Sequence, residues 1–166
     1  MEKSDKQKHT IGVLVENQPG VLSRVAGLFS GRGFNIDCLT VAETNEPGVS
    51  RITLVTVGDQ HIMEQIIKQL NKLINVIKVY DFRETEFVDR EMALIKVKAE
   101  AQTRAEVLRI SDIFRAKIVD VSPHYYTLEV TGNETKISAI LELLEQIGIV
   151  ELARTGKAAL ARSKKH

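Results

Sequence analysis

Ile11, Val13 and Val15 alternate with Gly12 and Leu14, and the apolar character of the whole run predicts a strand covered on both faces over 9–16. Val21, Leu22, Val25, Ala26, Leu28 and Phe29 then recur at helical spacing and predict a helix over 20–31. The same reading gives strands over 34–43 and 49–57, a helix over 60–74 and a strand over 76–83. Asn45-Glu46-Pro47-Gly48 is a turn, which makes the two middle strands a hairpin. Asp59 is placed to cap the second helix, whose Ile62, Ile66, Leu70 and Ile74 stack at i+4 spacing. The order is βαββαβ.

Residues 84–90, Glu-Thr-Glu-Phe-Val-Asp-Arg, are mostly charged and interrupt the periodicity, so they read as a linker. The order then repeats. Met92 to Ala99 alternates as a strand, Thr103 and Glu106 fit a capping box for a helix to about Arg115, and Lys117 to Val121 reads as a strand. Ser122-Pro123 is a turn before a strand from Tyr125 to Thr131. A helix carrying Ile137, Ile140, Leu141 and Leu144 follows Gly132-Asn133, and Gly148 stops it before a strand over Ile149 to Ala153. The fold class is α+β, two ferredoxin-like βαββαβ modules in tandem. The domains are expected at 9–83 and 91–162. In each sheet the face away from the helices would be open in a monomer, and strands as apolar as Ile36–Val41 and Ile52–Val57 call for a covering partner.

Bulk composition narrows the classes. Lys and Arg number 23 against 22 Asp and Glu, a net charge of +1 that argues against a general nucleic-acid or anionic-membrane binder. No apolar run approaches the roughly 20 residues of a membrane span, and Met1 to Lys8 lacks the apolar segment of a signal peptide. The single Cys38 excludes an internal disulfide framework and fits a reducing cytoplasm.

Catalytic apparatus is hard to find. His9, His61, His124 and His166 are dispersed, with no metal-ligand spacing among them or with Cys38. His124 beside Tyr125 and Tyr126 reads as a surface cluster. Ser23 lacks a nucleophile elbow, and Gly31-Arg32-Gly33 ends a helix and enters a strand, the reverse of a nucleotide-binding order. The junction Asn17-Gln18-Pro19-Gly20 has more promise. Pro19-Gly20 forces a tight turn that leaves the first N–H groups of the helix without intrahelical partners, and these with the helix dipole favour a carboxylate or phosphate. Asn17 either caps this helix or contacts such a ligand.

The run Asn17-Gln18-Pro19-Gly20-Val21-Leu22-Ser23-Arg24-Val25-Ala26-Gly27-Leu28-Phe29, continued by Arg32-Gly33-Phe34-Asn35-Ile36-Asp37, resembles the ACT domain. More narrowly, it resembles that of the regulatory small subunits of acetolactate (acetohydroxyacid) synthase. Leu39-Thr40-Val41, Arg51-Ile52-Thr53, Gln69 to Leu73 before Val76, Arg90 to Val97 and the closing Ala153 to Arg162 extend the similarity over nearly the whole chain. Cys38 departs from the family, which commonly has Ser or Thr there, and Gly31 stands where a longer side chain is frequent. The resemblance implies a non-catalytic regulatory subunit that binds a branched-chain amino acid, usually valine, activates the large catalytic subunit and makes it sensitive to feedback inhibition. The effector would lie where two ACT modules of a homodimer pair, against Asn17, Gly20, Val21 and Leu22 of one protomer and Asn35 and Ile36 of the other. No cofactor is expected in this chain; thiamine diphosphate, Mg and FAD would belong to the catalytic partner. The alternative is a free-standing ACT-type amino-acid sensor controlling a different enzyme or a transcription factor.

Overall fold

The computed structural model describes residues 7–163, which divide into two compact units. The first holds the chain as far as Val88 together with the segment from Ala158 onward; the second is Asp89–Lys157.

The first unit contains β1 (Gln7–Glu16), α1 (Val21–Ser30), β2 (Ile36–Glu43), β3 (Val49–Gly58), α2 (Gln60–Leu70) and β4 (Val76–Asp81). The sheet order is β2-β3-β1-β4, with all neighbours antiparallel, so β2 and β4 are the edges. Ile11, Val13 and Val15 of β1 and Ile52 and Leu54 of β3 meet Val21, Val25 and Phe29 of α1 and Met63, Ile66 and Leu70 of α2 in one core. Asp59 caps α2 as its position predicts, accepting from Ile62 N at 2.9 Å. The helix nevertheless ends at Leu70, not near 74. Leu73 N bonds to Leu70 O and Val76 N to Leu73 O, a turn that leaves Ile74 89% exposed and buries Asn75 instead.

The second unit begins within β5 (Phe87–Lys98), a strand whose first two residues belong to the first unit. It continues through α3 (Arg104–Ile113), β6 (Lys117–Val121), β7 (Tyr125–Gly132), α4 (Glu134–Glu145) and β8 (Ile149–Arg154). Its strands run in the order β6-β7-β5-β8. Ala93, Ile95, Val97, Leu128 and Val130 pack against Val107, Ile110, Ile137, Ile140 and Leu144. Asn133 caps α4 by accepting from Lys136 N at 3.0 Å. The capping box expected at α3 does not form. Thr103 is itself close to helical and its hydroxyl donates to Glu100 O, while the Glu106 carboxylate pairs with Arg109 at 2.5 Å.

Both boundaries differ from the sequence reading. The expected linker 84–90 is strand from Phe87 onward, because Phe87 and Asp89 alternate inward with exposed Val88 and Arg90, and the inward carboxylate has a partner. Glu91, which follows, is buried against Arg154, and Asp89 lies 3.4 Å from Lys157, whose ammonium also reaches Glu134 at 3.3 Å. A pattern that counts apolar residues alone cannot see an alternation sustained by ion pairs. The tail assigned to the second module forms β9 (Ala158–Ala161) and groups with the first. Ala159 is buried, its N–H directed at Thr53 Oγ1 (3.4 Å), and Arg162 N donates to Glu86 O at 2.8 Å. Thr53, which Ala159 reaches, and Val55 are buried, although Val41 and Val57 remain exposed. No helix among the described residues is long and apolar enough to cross a membrane.

Candidate functional site

The turn from β1 into α1 is held from three sides. Asn17 N donates to Gly48 O at 2.8 Å, Gln18 N to Glu16 O at 3.0 Å, and Glu16 N to Asn75 O at 2.9 Å. Gly20 has φ +85°, a left-handed conformation that disfavours any residue with a Cβ, and it stands at the helix N-cap. A Cβ at Gly20 would meet nothing within 4 Å, so backbone conformation, not crowding, demands glycine there. Val21 is buried and anchors the first turn, whereas Leu22 is 41% exposed beside it. No side chain caps α1, so Asn17 is not the cap that local reading allows; its side chain is exposed. The amides of Leu22 and Ser23 lie in the first turn, where an α-helix offers them no acceptor of its own. The helix end thus presents donors and a partial positive charge to the outside.

Three residues that the sequence reading did not single out brace this loop. Asn75 is buried, accepts from the Arg24 guanidinium through Oδ1, and donates from Nδ2 to Glu16 Oε2 at 2.7 Å. The chain Glu16–Asn75–Arg24 ties the end of β1, the turn after α2 and the second turn of α1 into one unit. The signal was available. Asn75 is a lone polar residue inside Leu73-Ile74-Asn75-Val76-Ile77, and an isolated amide in an apolar run is either exposed or fully bonded.

Asn35 and Ile36 lie elsewhere. Asn35 O accepts from the buried Thr56 hydroxyl at 2.7 Å, and Asn35 Nδ2 donates to Asp37 Oδ1 at 2.6 Å. Ile36 pairs with Thr56 at one end of β3, whereas Glu16 pairs with Val49 at the other. Along β3 from Val49 to Thr56 the rise is about 23 Å. Within one chain the six predicted residues therefore form two groups at opposite ends of the sheet, and the first group alone is an open loop.

A separate recess of about 690 Å³ in the first unit is lined by Lys8, His9, Asp59, Gln60, Arg83 and Phe87, among others. Its polar groups are occupied structurally. His9 Nε2 donates to Gly58 O at 2.9 Å, Asp59 caps α2, and Arg83 grips Asp81 through two nitrogens at 2.9 and 2.6 Å. Burial alone would raise the Asp81 carboxyl, but hydrogen bonds from the Arg83 side chain and backbone, with its charge, hold it below the ordinary carboxylate range. His124 contacts Glu100 at 3.2 Å and is exposed with Tyr125. No nucleophile, base and orienting group converge among these side chains.

A family profile for the AHAS small subunit-like ACT domain matches residues 11–78, and one for the small subunit of acetolactate synthase matches residues 90–163. The chain is 56% identical over 158 residues to the probable acetolactate synthase small subunit of Archaeoglobus fulgidus, covering 95% of this chain and 99% of that protein. It is 52% identical over 163 residues to the acetolactate synthase small subunit of Aquifex aeolicus, covering 98% of this chain and 85% of the other. The crystal structure of the acetolactate synthase small subunit of Thermotoga maritima superposes with a TM-score of 0.87 at 42% identity, covering 96% and 99% of the two chains. An ACT-like first unit, a second βαββαβ unit of the matching type and similarity along almost the full length place the chain in the acetolactate synthase small-subunit family.

Proposed function

We propose that this chain is the non-catalytic regulatory subunit of an acetolactate synthase in branched-chain amino-acid biosynthesis. It activates the large catalytic subunit and confers feedback inhibition by valine, or another branched-chain amino acid, bound where two ACT units pair. Thiamine diphosphate, Mg and FAD belong to the catalytic partner in this reading.

The separation of the two residue groups is the observation that carries the placement of the effector. Strand β2 is an edge of its sheet, the place where a strand of another copy can be added. If two copies pair antiparallel along β2, Asn35 and Ile36 of the partner subunit come to the Glu43 end of the strand. That end adjoins Ser50, Val49 and Gly48, and Gly48 holds the Asn17 loop. The two groups that one protomer keeps apart are then neighbours across the two-fold axis.

Energetics favour a shared site. The helix terminus contributes about 0.3–1 kcal/mol towards the effector carboxylate, and up to about 2 kcal/mol when partly buried. Effector binding in the micromolar to millimolar range needs roughly 4–8 kcal/mol. Enclosing an isopropyl side chain adds about 1.5–3 kcal/mol, which requires apolar walls on both sides. Leu22 and Ile36 supply such walls from different protomers, and the Asn35 amide can accept from the α-ammonium. An effector that binds only paired units changes the pairing equilibrium, the differential affinity that allostery needs.

Purified chain added to an acetolactate synthase large subunit should raise acetolactate formation, and valine should lower it again. No change of rate at saturating small subunit would overturn this reading.

A further inference from the structure

We propose that the groove between α1 and α2 of the first unit docks an acidic surface of the catalytic subunit. This rests on the regulatory-subunit reading and adds a location and a chemistry to it.

The groove, about 690 Å³, is bounded by Arg24, Gly27 and Leu28 on α1, by Arg32 just beyond its end, and by Lys72 and Leu73 after α2. Leu28 and Leu73 are partly buried hydrophobics that form its apolar floor. Every charged residue lining it is a cation, and α1 carries no acidic residue at all. For a chain whose net charge is only +1, that is a local concentration of one sign. A partner surface carrying carboxylates answers that rim, and a protein surface, not a small anion, suits an open groove with leucines at its base.

Gly27 supplies an independent reason for close approach. It lies inside a helix, where glycine is disfavoured, and a Cβ there would meet nothing within 4 Å. Neither backbone conformation nor internal packing of this chain accounts for it. A second surface lying directly on the α1 backbone does. Ile74, 89% exposed in the turn that follows Leu73, extends the apolar contact beyond the groove.

The position also explains how docking and effector binding communicate. Helix α1 has the effector loop at its N-terminus and the groove along its flank. Arg24 belongs to both, lining the groove while bonding to Asn75, which bonds to Glu16 beside the loop. A displacement of α1 by either partner is felt by the other without any separate relay.

The test uses the whole chain with the catalytic subunit. Gly27→Leu adds a side chain at a groove position where a Cβ meets nothing within 4 Å, and Arg32→Glu with Lys72→Glu reverses two of its cations. Both variants should need about tenfold or more chain for half-maximal stimulation. Valine affinity of the chain alone, by calorimetry, and the melting midpoint should stay as in wild type. Raising salt to about 0.5 M should weaken wild-type stimulation more than that of the charge-reversed variant. Native half-saturation in both variants, with wild type stimulating normally, overturns the docking site and leaves the regulatory reading intact. Wild type that fails to stimulate removes that reading and the docking site with it. A changed sedimentation of either variant in the absence of catalytic subunit makes a second copy the occupant, and also overturns the proposal.

Discussion

The guanidinium of Arg24, in the second turn of α1, donates to the buried side-chain oxygen of Asn75, which in turn donates to Glu16 at 2.7 Å. One amide thereby joins the strand before the Asn17–Gly20 loop, the proposed effector loop, to the helix after it. Replacing Asn75 with Ala leaves the Glu16 carboxylate and Arg24 without this bridge. It should destabilise the first unit by about 1–3 kcal/mol, the range for losing a bonded buried polar group. Effector affinity should fall as well, because the loop loses its brace. Urea denaturation and calorimetric titration with valine measure the two effects, and a variant that keeps both stability and affinity would show that the bridge is incidental.

At Gly20 conformation and charge can be separated. Gly20→Ala places a methyl in open space but at φ +85°, which should cost about 1–2 kcal/mol of stability. Gly20→Asp carries a similar strain and adds an anion where the proposed site would take the effector carboxylate. Binding of valine should weaken modestly in the first variant and vanish in the second. Equal loss in both would mean that the loop's shape, and not its affinity for an anion, governs the site.

Much of this was legible in the chain. Apolar spacing and glycine or asparagine punctuation placed every helix and seven of the nine strands to within a few residues, because those elements bury one regular face. Three features escaped for identifiable reasons. Helix α2 stops before Ile74 because Asn75 is bonded inward, a tertiary demand that i+4 counting cannot register. The start of β5 looks like a charged linker because its inward positions are filled by ion pairs. Strand β9 is four residues of Ala and Leu whose cover, Thr53, lies far away in sequence. At the site, Asn17, Gly20, Val21 and Leu22 fall together, while Glu16, Arg24 and Asn75, which hold the loop, were not recognised as a group.

Asp81 provides a pH handle on the first unit. Its carboxyl is held below the ordinary range in the folded chain by Arg83, so the unfolded state takes up the proton at higher pH. The stabilisation is present above the unfolded value near 4 and is lost as pH falls through the folded one. Asp81→Asn should therefore lower stability at neutral pH, with the difference from wild type disappearing on acidification below about pH 4. Denaturant midpoints measured for both proteins across that interval check this. A difference that persists unchanged into acid would assign the effect of the substitution to something other than the Arg83 pair.

Ending the chain at Lys157 should injure the first unit, although the cut lies after the last residue of the second. Ala159 is buried, with its N–H 3.4 Å from the hydroxyl of Thr53, itself buried on β3. Loss of one hydrogen bond and of the cover on that face should cost about 1–2 kcal/mol. Exchange of the β1 and β3 amides is expected to quicken, because those strands lie beneath the tail, while the amides of β7 keep their protection. Thr53→Val in the full chain removes the acceptor but retains the cover, so it should reproduce only part of the effect. The same argument bears on a fragment ending near Phe82, which contains the whole βαββαβ plan of the first unit but lacks β9. It should fold with a lower midpoint than the corresponding transition of the full chain, and still respond to valine if the six site residues suffice. Faster exchange confined to β7 after truncation would instead return the tail to the second unit, where its place in the sequence suggests it belongs.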